Sequence, residues 1–143
     1  MSSDPKPPTR NELTPYDSLD DLTLVRNFLG KNQDDALKMF QKNLSASYYT
    51  DDFMWMESGA LDYYFTSAIR YLRTEQGAGD WDFQLGLFST LRHRYRRGEF
   101  PEELKRRVVS FAADILNGKY GIELDDYLRE EIVGILEFKD QNS

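Results

Sequence analysis

Leu61-Asp62-Tyr63-Tyr64-Phe65-Thr66-Ser67-Ala68-Ile69-Arg70-Tyr71-Leu72 carries the clearest periodicity in the chain. Leu61, Tyr64, Phe65, Ala68 and Leu72 recur at i, i+3, i+4, i+7 and i+11, which places them on one face of a helix. Asp62, Thr66, Arg70 and Arg73 make the opposite stripe, a composition suited to water. Ser58-Gly59 opens the helix and Gly77-Ala78-Gly79 ends it.

The same period continues on both sides. Towards the C-terminus, Asp80 caps a helix with the apolar set Trp81, Leu85, Phe88, Leu91 and Tyr95, closed by Gly98. Pro101 suits the first position of the next helix, whose face is Leu104, Val108, Phe111, Ala112 and Ile115 before Gly118. A last helix over about 124–138 turns Leu128, Ile132, Ile135 and Leu136 inward. Towards the N-terminus, Asp17 or Ser18 caps a helix with Leu19, Leu22, Val25, Phe28 and Leu29, stopped by Gly30. A shorter helix over about 34–44 buries Leu37, Phe40 and Leu44. Between them and the opening stretch, residues 45–60 hold no clean period. A bent loop, a short helix begun at Thr50 or Asp51, or one long helix all remain open, and Tyr48-Tyr49-Thr50 is the one short strand candidate.

The first sixteen residues differ. Four of the five prolines lie there (Pro5, Pro7, Pro8 and Pro15), with little apolar material to pack. The expected organisation is a disordered tail over 1–16 and a single all-α domain over 17–143, an irregular bundle of about six helices.

Composition bounds the chemistry. At 143 residues with 40% apolar and 14% aromatic content, the chain can build a ring-rich core. It has no cysteine, so disulfides, thiolate metal sites and cysteine nucleophiles are excluded. No apolar run approaches the roughly 20 residues of a membrane span, and the N-terminus lacks a signal-peptide pattern. A cytoplasmic protein without membrane contact is expected. The net charge of −7 disfavours nucleic acid as a general partner.

Catalytic signals are missing. His93 is the single histidine and lies among Arg92, Arg94, Arg96 and Arg97, an unsuitable setting for a general base. Four Asp-Asp pairs (Asp20-Asp21, Asp34-Asp35, Asp51-Asp52 and Asp125-Asp126) fit helix starts better than metal ligation. No metal, no cofactor and no enzymatic activity are expected.

Two features stand out. From Tyr48 to Tyr71 there are eight aromatic residues with Met54 and Met56 among them, the composition of an interface core. Tyr48, Tyr49, Phe53, Trp55 and Tyr63 are the candidate contacts with another protein or a second copy of the chain. The leading expectation is thus an adaptor-like or immunity-protein-like interaction module. The other feature is Arg92–Arg107, which is locally +4 and leaves −11 on the remaining residues. Arg92, Arg94, Arg96 and Arg97 would be the anion-binding residues if the ligand were a nucleic acid or phosphate. A third reading is an enzyme using carboxylates and tyrosines, with Asp62 beside Tyr63.

Overall fold

A computed structural model describes residues 6–14, 19–42 and 46–138, with the backbone alone for 19–21. Nine α-helices occur among these residues and no strand. They are α1 (Arg10–Leu13), α2 (Leu19–Phe28), α3 (Gln33–Lys42), α4 (Thr50–Trp55) and α5 (Ser58–Leu72), followed by α6 (Glu75–Ala78), α7 (Trp81–Arg96), α8 (Glu102–Leu116) and α9 (Asp126–Leu136). The six that run ten residues or more are the six expected from periodicity. The other three are single turns or little more, too short to print a period on the sequence. Residues 45–60 hold a 3-10 turn over Ala46–Tyr49 and then α4, so Tyr48-Tyr49-Thr50 is helical rather than a strand.

The stretch from Leu61 to Leu72 lies in the most deeply buried helix. α5 packs on α3, and Leu61, Tyr64, Phe65, Ala68 and Leu72 have almost no exposed surface. Tyr71 is buried too, so the covered arc is wider than one stripe. On one side of α5, Tyr64 and Tyr71 join Phe28, Phe40, Phe53 and Phe83 in a network of rings 4.8–6.3 Å apart. On another side, Phe65 meets Phe111 edge-on at 5.3 Å, and Phe111 stacks on Phe88 at 5.4 Å. The tyrosine hydroxyls inside keep partners. Tyr64 donates to the carbonyls of Phe28 and Lys31, which closes the end of α2, and Tyr71 donates to Asp80 Oδ2 at 2.6 Å. Burial pushes both hydroxyls well above the ordinary tyrosine range.

The stripe read as water-facing is partly covered. Arg107 of α8 pairs with Asp62 and donates to Thr66 Oγ1 at 2.9 Å, while Arg70 reaches Asp34 at 2.6 Å. α7 is the second spine, packed on α4 and α9. Its buried set is Phe83, Gln84, Leu87, Phe88, Thr90, Leu91 and Arg94. Trp81 is instead 41% exposed, so the expected face was rotated. The reason is close packing. A Cβ on Gly86 would lie 2.4 Å from Thr50 Oγ1, so α4 presses onto the one residue of α7 without a side chain. In α2, Leu24 and Phe28 are buried while Leu22, and Leu29 just past its end, are exposed, again a shifted face. Gly30 takes the expected left-handed turn after α2, at φ 80°. The caps foreseen at Asp17 or Ser18, and the inward Leu44, lie outside the described residues.

The tail requires correction. Thr9 and Glu12 form a reciprocal capping box that starts α1 at Arg10. Leu13 and Thr14 then have no exposed surface, and the Leu13 carbonyl accepts from the Glu57 amide at 2.9 Å. Residues 10–14 are therefore part of the folded body. Leu13 is the one buried apolar residue of α1, too little to print a periodic pattern on the sequence.

Candidate functional site

Six residues are too few for α4 to shield both its sides. Thr50, Asp52 and Phe53 face inward. Asp52 accepts from Asn27 Nδ2 at 2.8 Å. Trp55, two residues after Phe53, is turned outward and remains 50% exposed. The chain then leaves the helix in extended form at Met56, which is buried.

The C-terminal end of α4 leaves backbone carbonyls without helical partners. Arg94, reaching across from α7, supplies a donor: its Nη1 meets the Phe53 carbonyl at 2.8 Å. Its positive charge also sits at the negative end of the helix. Its Nε donates to Glu99 Oε1 at 3.0 Å, and its guanidinium lies 5.6 Å from the Phe100 ring centroid. Only 5% of Arg94 is exposed. Arg97 takes the other oxygen of Glu99 at 3.1 Å, and Ser58 at the start of α5 donates to the Glu99 carbonyl at 2.9 Å. These bonds fix the walls of a groove of about 630 Å³, lined among others by Met54, Trp55, Glu57, His93, Arg97 and Glu99. The aromatic and basic segments thus meet at one place.

The candidate contacts divide. Trp55 lines this groove. Tyr63 is half-buried and lines a neighbouring one of about 610 Å³ with Pro8, Asn11 and Glu12; Glu57 borders both. Tyr48 is exposed and edge-on to Tyr49 at 5.4 Å, in neither groove. Tyr49 and Phe53 are core residues with 8% and 0% exposure, so they offer no contact surface here. Packing against Phe28 and Phe40 accounts for both.

The four candidate anion-binding arginines are largely engaged by their own chain. Arg92 lies 3.6 Å from Glu131 and fills the space beside Gly134. Arg94 and Arg97 share Glu99, and Arg96 covers the Phe138 ring at 5.5 Å. Asp62, the carboxylate of the enzymatic reading, is paired with Arg107. Among the described residues, no three His, Cys, Asp or Glu side chains cluster as metal ligands. No described helix is long and apolar enough to cross a membrane. Sequence reasoning missed the roles of His93, Arg94 and Glu99 in this groove. The decisive bond joins Arg94 to a residue 41 positions away, and neither end carries a local signature.

No family model, curated protein or solved structure matches the chain. The functional reading therefore rests on geometry and chemistry.

Proposed function

We propose that the protein is a non-enzymatic interaction module and that it docks a partner protein in the groove at Trp55. The observation that carries this reading is the half-exposed indole above a groove whose walls are already held by Arg94, Arg97 and Glu99. A large ring with few rotatable bonds loses little entropy on contact, and fixed walls reduce the ordering cost further. Two cations, Arg94 and Arg97, balance two carboxylates, Glu57 and Glu99, around the groove. It therefore suits an uncharged stretch of the partner that lays an aliphatic or aromatic side chain against Trp55 and Met54.

Trp55→Ala tests the reading. Because half of the indole is exposed, the variant should melt within about 1 kcal/mol of the parent by far-UV circular dichroism. Proteins retained from native lysate by the parent should be lost by Trp55→Ala and kept by Tyr127→Ala, a substitution at a 70% exposed ring outside the groove. Equal retention by parent and Trp55→Ala overturns the proposal. So does a parent that retains nothing and sediments as a monomer. Sedimentation as a dimer that Trp55→Ala dissociates would make the occupant a second copy instead.

A further inference from the structure

A third groove lies between the end of α5 and α8. It is small, about 330 Å³, and Arg73, Arg106 and Arg107 line it with Asp114, Phe111 and Tyr120. Three guanidiniums on one small groove are unexpected in a chain of net charge −7, because like charges at close range repel. Part of the charge is answered internally. Arg107 pairs with Asp62, and Asp114 pairs with Lys119 at 3.4 Å. Arg73 and Arg106 have no carboxylate partner among the described residues. Arg73 is steadied by Tyr120 instead, its guanidinium 5.3 Å from the ring centroid and its Nη2 3.5 Å from the hydroxyl. Arg107 lies in the same way 5.2 Å from the Phe65 ring. Two of the three cations are held in place without any ligand.

We propose that this groove binds the phosphoryl group of a small phosphate monoester, gripped by Arg73 and Arg106 with Arg107 behind them. Charge selects this class. Two uncompensated guanidiniums match a phosphoryl group, which carries about −1.5 to −2 at neutral pH, whereas one carboxylate would leave a positive charge over. Shape agrees, since the planar arginine fork meets phosphate oxygens in pairs. A long polyanion fits poorly, because the rest of the surface is acidic and repels it. The site is separate from the groove at Trp55 and does not depend on that reading.

Titration of the full chain with phenyl phosphate at constant ionic strength, followed through the arginine Nε–Hε resonances, tests the assignment. Shifts should concentrate at Arg73, Arg106 and Arg107. Arg106 is exposed and has no partner among the described residues, so Arg106→Gln should fold as the parent does and weaken binding by about fivefold or more. Arg96→Gln, at an exposed arginine outside the groove, should leave affinity within about twofold. Equal weakening by Arg96→Gln would reduce the effect to general attraction and overturn the proposal. Phenylacetate binding as tightly as phenyl phosphate would overturn the phosphoryl assignment. A twelve-nucleotide single strand that binds more tightly through the same arginines would replace the small ligand with a nucleic acid.

Discussion

Phe65 sits where two helices meet through rings, with no exposed surface, edge-on to Phe111 and beneath the Arg107 guanidinium. Its removal would leave a cavity that close-packed neighbours cannot fill. Phe65→Ala should cost about 3–5 kcal/mol, a large share of the 5–15 kcal/mol typical of a domain. Urea denaturation of parent and variant measures it, and a cost below about 1 kcal/mol would mean that the site collapses without penalty. This burial was legible in the sequence, because Phe65 belongs to a face of five apolar residues in helical register. Arg94 was not. A cation in a run of arginines suggested an anion ligand, and only the fold brings it to the buried carbonyl end of α4. Tyr49 and Phe53 failed in the opposite direction: aromatic density suggested a surface, yet a short irregular segment buries such rings as readily as a long helix does.

At the scale of elements, Gly30, Gly98, Gly118 and the Asp80 cap marked helix boundaries. Gly77-Ala78-Gly79 did not, because α5 already ends at Leu72 and Gly77 lies within α6, and Pro101 is the N-cap of α8 rather than its first residue. Gly30, Gly98 and Gly118 all adopt the left-handed conformation at a helix end, which local sequence dictates. The faces of α2 and α7 were less legible. Each packs on more than one neighbour, so several sides are apolar and the period alone does not select among them. α1 is the sharpest case: Leu13 and Thr14 are buried against the body and the Leu13 carbonyl accepts from the Glu57 amide, contacts that a four-residue turn does not announce. Deleting residues 1–14 should therefore lower the melting midpoint by more than about 5 °C, since a buried leucine alone accounts for roughly 2 kcal/mol or more. Circular dichroism melts of the two chains decide it. A midpoint unchanged within about 2 °C would show that the contact contributes nothing.

For the whole molecule, the buried tyrosines set a limit on the alkaline side. Tyr64 and Tyr71 both ionise later in the folded chain than in the unfolded one, chiefly because burial penalises the phenolate. Below about pH 10 neither state is charged and these groups add no pH dependence. Above it the unfolded chain releases its protons first, so stability should fall as pH rises. Urea midpoints should hold level from these groups between about pH 8 and 9 and drop beyond about pH 10. Tyr64→Phe should make that drop shallower; an identical slope would show that Tyr64 does not contribute to it.

The rings in the core of this protein are all phenylalanine and tyrosine, and both tryptophans stand at its surface, Trp55 at 50% and Trp81 at 41% exposure. Indole emission responds mainly to contact with water, and here that contact is already extensive in the native state. Intrinsic fluorescence will consequently change little when the chain unfolds. A molecule that covers Trp55 should shift the spectrum to the blue while the fold stays as it is. Replacing Trp81 with phenylalanine would turn the remaining indole into a private reporter of that one groove, leaving near-ultraviolet tyrosine signals to follow folding.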